Sequence, residues 1–72
     1  MMRQFYQVIK RNIRYEVVSR HFFHDRTNAE AHFKQLTHEI NCSVPIQKNE
    51  KGSMWALGKD GAAHFEVMNF ED

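Results

Sequence analysis

Seventy-two residues give room for one domain and one core, and an apolar fraction of 42% is that of a folded chain, not a disordered one. Ten Lys and Arg against nine Asp and Glu leave a net charge of +1, which excludes both an acidic nucleic-acid mimic and a strongly basic histone-like binder. A single Cys excludes an internal disulfide framework and a Cys-based zinc cluster.

The chain opens on two runs rich in β-branched and aromatic residues, 4–10 and 13–23, which predict a first β-hairpin. Between them Lys10, Arg11 and Asn12 suit a three-residue loop, since Asn tolerates the positive φ that its last position needs. That register pairs Ile9 with Ile13, Gln7 with Tyr15 and Phe5 with Val17, and collects the apolar residues on one side.

A helix over residues 28–41 is the clearest signal. Thr27 and Glu30 form a T-x-x-E capping box at its start. Ala29, Phe33, Leu36 and Ile40 recur at helical spacing as one apolar stripe. Glu30 and Lys34 stand at i and i+4 in the favourable order, and Asn41 and Cys42 end the helix ahead of Pro45.

Residues 42–52 form a long connection in which 44–47 is a candidate short fifth strand, confined to an edge by Pro45. Residues 53–58 and 62–70 then predict a second hairpin around Lys59, Asp60 and Gly61, with Trp55 opposite Phe65. The fold class is α+β: an antiparallel sheet of four strands, with the short fifth as an option, in the order ββαββ, and one helix packed on one face. The candidate core is Phe5, Ile9, Ile13, Tyr15, Val17, Phe33, Leu36, Ile40, Trp55, Leu57, Phe65 and Val67. One domain spans residues 1–72.

Nothing in this plan covers the second face of the sheet. It would present Tyr6, Val8, Val18, Phe22, Met54 and Met68 among Arg14, Glu16, Arg20, His64 and Glu66. Aromatic, Met and Arg side chains are enriched at protein interfaces, and an uncovered apolar patch calls for a partner, either another protein or a second copy. Charge is uneven as well. Residues 1–26 carry six basic against two acidic side chains, a net of +4, and hold all five Arg, whereas residues 27–72 carry four against seven, a net of −3. The candidate partner-binding residues are therefore Tyr6, Arg11, Arg14, Val18, Arg20, Phe22, Met54 and Met68.

Three other chemistries compete with that reading. Five His are many for this length, but on a strand the spacing of His21 and His24 puts the two rings on opposite faces, and His32 and His38 lie on different sides of the helix. No metal and no cofactor is expected. Cys42 beside a His, or His64 with Glu66, could serve catalysis, yet neither makes a recognised motif, and no Gly-rich phosphate loop or nucleophile elbow is present. An enzyme is not expected. Tyr6, Tyr15 and Phe22 interleaved with Arg3, Lys10, Arg11, Arg14 and Arg20 suit single-stranded nucleic acid, which is the alternative partner.

No apolar run approaches the roughly 20 residues that span a bilayer. Arg3, Lys10, Arg11 and Arg14 leave no room for the apolar segment of a secretory signal, so a cytoplasmic location and no membrane partner are expected. The size and one-helix, one-sheet plan are similar to those of many small accessory proteins of bacteria, phages and mobile elements that bind and block a larger complex. That similarity rests on size and plan and transfers no residues. The leading expectation is a small non-catalytic protein-binding module, an inhibitor or regulator acting through the uncovered face and the Arg-rich hairpin.

Overall fold

β1 (Met2–Arg11) and β5 (Gly61–Glu71) pair antiparallel along their whole length and form the middle of a five-stranded sheet. The computed structural model describes residues 2–71 and, of their side chains, those of residues 3–69. β2 (Val17–Phe23) flanks β1, and β4 (Met54–Gly58) flanks β5, with the two-residue β3 (Gln47–Lys48) beyond it. The sheet order is β2-β1-β5-β4-β3, every pair is antiparallel, and α1 (Arg26–Glu39) follows β2 in the chain. The α+β class with one helix is as anticipated. The element order is ββαβββ, with the fifth strand at residues 47 and 48, beyond the reach of Pro45.

The helix begins two residues earlier than the capping box implies. Asp25, in extended backbone, is the N-cap, and its carboxylate accepts from the Thr27 N–H at 3.0 Å. Glu30 pairs with Arg26, Nε to Oε1 at 2.7 Å, instead of reaching back to Thr27. At the other end Asn41 takes the left-handed conformation (φ 54°), as its place after the stripe suggests.

The carbonyls of the C-cap and of the residue after it meet the β4–β5 turn. Asp60 N–H donates to the Ile40 carbonyl at 2.9 Å, and Lys59 N–H donates to the Asn41 carbonyl at 3.2 Å. Groups that a helix end normally leaves orphaned are thereby satisfied by the tip of a hairpin. The close approach demands Gly58, where a Cβ would stand 2.1 Å from the Ile40 oxygen.

The stripe Ala29, Phe33, Leu36 and Ile40 is buried against Tyr6, Val8, Ala56, Ala63 and Phe65. Phe65 stands between Tyr6 (ring centroids 5.7 Å) and Phe33 (6.0 Å). Phe65, Ile40 and Val8 are fully enclosed, each contributing about 1.5–3 kcal/mol of burial. Lys10 bonds Glu39 at 2.9 Å and ties the end of β1 to the last turn of the helix.

Both hairpin registers differ from expectation. The first loop is longer: Arg11 pairs with Val17 and Lys10 with Ser19, which leaves Val18 as a bulge. Asn12 organises the intervening residues, its Oδ1 accepting from Arg14 N–H at 2.9 Å and Glu16 N–H at 3.0 Å. In the second hairpin Gly58 pairs with Gly61, Trp55 with His64 and Met54 with Phe65, one residue away from the expected alignment. Tyr6 and Val8 accordingly face the helix, and Phe5 and Ile9 face away from it. Ile13, Tyr15, Val17, Trp55 and Leu57, all expected in the core, are exposed. β5 explains the choice. Its side bearing Ala63, Phe65 and Val67 has room for a helix over its small residue, whereas the opposite side carries His64 and Glu66, and pairing parity imposes that choice on β1.

Candidate binding face

The sheet face opposite α1 is lined, strand by strand, by Arg20 and Phe22 of β2, Phe5, Gln7, Ile9 and Arg11 of β1, Ala62, His64, Glu66 and Met68 of β5, and Trp55 and Leu57 of β4. Period-two alternation puts them there, because each is the cross-strand neighbour of another member of the set. Among the described residues no element of the chain packs over the centre of this face. Phe22 is 60% exposed and Leu57 51%, with Val17, Tyr15 and Trp55 also open to solvent.

Two clusters form. Phe5 and Phe22 meet with ring centroids 6.2 Å apart, and Met68 lies directly across from Phe5, so one apolar band crosses β2, β1 and β5. At the other end the β1–β2 loop folds back onto the sheet. Tyr15 Oη lies 3.1 Å from His64 Nε2, and the Arg11 guanidinium stacks 4.6 Å from the Tyr15 ring centroid while its Nη1 donates to the Tyr15 carbonyl. Ile9 and Ala62 are buried here, outside the helix-side core. Burial holds the His64 pKa below the usual histidine range, Arg11 pushes the same way, and Glu66 opposes them.

Two shallow depressions flank this cluster. One of about 340 Å³ is bordered by Ser53, Trp55, His64, Glu66 and Met68, and one of about 240 Å³ by Ile13, Tyr15, Leu57, Lys59 and Ala62. Each has the size to seat a side chain of a partner, and neither encloses a small molecule.

The expected partner-binding residues separate into two groups. Arg11, Arg20, Phe22 and Met68 share the open face, Val18 stands exposed at the bulge, and Arg14 is exposed in the loop. Tyr6 is not on that face: at 8% exposure it stacks on Phe65 beneath the helix. Met54 likewise packs against the helix-side core, because its partner is Phe65 and not a residue of the open side. The sequence pattern puts Phe5, Tyr15, Trp55 and Leu57 in the core, whereas the structure places all four on this face. The facing pair Ala56 and Ala63 could have identified the helix side, since a helix approaches a sheet where the sheet residues are small.

Cys42 is half-buried and donates its thiol to the Val44 carbonyl at 3.3 Å. No helix among the described residues is long and apolar enough to cross a membrane. Comparison with protein-family profiles, curated proteins and solved structures finds no match to this chain.

Proposed function

We propose that this chain is a small non-catalytic protein-binding module, an inhibitor or regulator, that docks a protein partner on its open sheet face and the adjoining β1–β2 loop. The supporting observation is the exposed set Phe22, Tyr15, Trp55 and Leu57 on one face of a sheet whose other face is buried by the helix. Aromatic and aliphatic anchors flanked by Arg11 and Arg20 and bordered by two side-chain-sized depressions are the composition of a protein interface. Glu66 in the middle of the face favours a protein over a polyanion, which it would repel. The test is capture from an extract of the native host. The partner should be retained by the wild type and by Lys34→Glu on the outer helix face, and lost with Trp55→Glu or Leu57→Lys at unchanged circular dichroism. Equal retention by the face variants would overturn the reading.

One observation favours single-stranded nucleic acid as a second reading: Arg11 over the exposed Tyr15 ring, with Arg14 in the same loop, pairs a stacking surface with cations. Four to five phosphate contacts would give a log–log salt slope of about −3 to −4.5. A titration of labelled single strands that shows no binding at low salt eliminates it.

A further inference from the structure

β2 is an edge of the sheet, so among the described residues one side of its backbone has no neighbouring strand, and its residues are exposed apart from half-buried Ser19 and Phe23. It contains neither Pro nor Lys; of the features that block an edge it carries one charge, Arg20, and the bulge at Val18, which lies outside residues 19–23. On the helix side of this edge His21 stands against His32 of α1, ring centroids 4.7 Å apart and ring planes at 73°. Phe23 closes over His32 at 5.6 Å. The His32 Nε2 is shielded from water and has no hydrogen-bond partner among the described residues. An unpartnered buried imidazole nitrogen is costly, and a lone pair of this kind is the commonest metal ligand in proteins. Among the described residues of one chain, no third His, Cys, Asp or Glu joins the pair. The ligand set is half of a tetrahedral one.

We propose that two copies of the chain pair antiparallel along β2 about a two-fold axis at His21, and that His21 and His32 of both copies together hold one zinc-like divalent cation.

The axis follows by elimination. Antiparallel self-pairing sets one residue opposite its own copy and keeps opposed residues on one face. An axis at Arg20 places two guanidinium groups in direct opposition. An axis at Ser19 runs the new ladder through the bulge at Val18. An axis at Phe22 leaves only residues 21–23 of β2 in register. The axis at His21 pairs residues 19–23, sets each Arg20 across from the other copy's Phe22 on the open face, and brings the two His21 together on the helix face. Each His21 arrives with its own His32 behind it. Four imidazole nitrogens in tetrahedral array suit zinc. Lys10, which shares that face of the sheet, is engaged by Glu39. This proposal does not depend on the open-face reading.

Sedimentation velocity of the full chain with zinc chloride, then with EDTA, tests it. The 8.6 kDa chain should double in mass on zinc addition, bind one zinc per two chains, and return to monomer with EDTA. His21→Ala and His32→Ala should each abolish the effect with circular dichroism unchanged. Phe22→Arg, which opposes like charges across the seam and touches no imidazole, should weaken the zinc-linked dimer about tenfold. If His32→Ala unfolds, X-ray absorption at the zinc edge of the wild-type dimer reads the ligands directly, with four nitrogens at about 2.0–2.1 Å expected. Zinc bound by monomers alone, a dimer indifferent to EDTA, zinc-linked dimers that persist in the His21→Ala variant, or no response to zinc would each overturn the proposal.

Discussion

Tyr15 Oη lies 3.1 Å from Nε2 of His64, forty-nine residues further along the chain. Tyr15 holds a left-handed backbone (φ 65°), a conformation that disfavours a bulky side chain by roughly 1–2 kcal/mol. The Arg11 guanidinium over its ring, the bond from Arg11 to its carbonyl and the His64 contact together offset that cost. The β1–β2 loop is thereby held across one end of the open face, where Ile9 and Ala62 are buried.

Removing the hydroxyl isolates one part of this latch. Tyr15→Phe should lower stability by no more than about 0.5–1.5 kcal/mol, and Tyr15→Ala should lower it further through loss of the Arg11 stacking. Urea unfolding measures both, and faster amide exchange at Ile9 in Tyr15→Ala would confirm that the ring shelters the strand.

The N-cap assignment gives a second test. Asp25→Ala should cost about 0.5–2 kcal/mol, because it deprives the Thr27 N–H of its acceptor. Thr27→Ala should change little. A melting midpoint several degrees lower for the first variant and near wild type for the second is the expected pattern.

Register is checked by opposite responses on the two faces. Phe65→Ala, in the enclosed core, should cost about 3–5 kcal/mol and threaten folding. Leu57→Ala, on the open face, should stay within about 0.5 kcal/mol of wild type. Comparable losses at the two positions would mean that Leu57 is buried.

Contact between the hairpin tip and the helix end makes Gly58 intolerant. Gly58→Ala would drive a Cβ into the Ile40 oxygen, and overpacking of this kind costs about 1–3 kcal/mol or more. Thermal melts of Gly58→Ala against Lys59→Ala, whose backbone bond survives the change, separate the steric effect from the turn.

Acid should destabilise the fold through two histidines. His32 and His64 both have pKa values lowered mainly by burial, so the unfolded chain binds protons more readily than the native state. Their contribution is complete above the unfolded value of about 6.5 and is lost as pH falls from there through the lower folded values. Melting midpoints should drop on going from pH 7 to pH 5, and a His32→Gln, His64→Gln double variant should flatten that slope. Glu39, held below the usual carboxylate range by Lys10, adds its effect only at more acidic pH.

How far the amino-acid pattern alone reaches is clearest from α1 and the two hairpins. The helix was legible because a 3.6-residue period leaves Ala29, Phe33, Leu36 and Ile40 only one way to share a side, and all four are buried. Strand identity was legible too, from β-branched and aromatic runs between turn residues. What remained open was which side of each strand meets the helix. β1 carries Phe5 and Ile9 on one face and Tyr6 and Val8 on the other, so a period of two has two nearly equal solutions, and a one-residue slip in the Lys59-Asp60 turn exchanges Trp55 and Leu57 for Met54 and Ala56. Tertiary structure decided it. The helix end needed the Lys59 and Asp60 N–H groups, the sheet needed Ala56 and Ala63 beneath the helix, and β5 passed that choice to β1 through pairing parity. The proximity of His21 to His32, like that of Tyr15 to His64, joins residues distant in the chain, and only the packed arrangement of helix, loop and sheet brings them together.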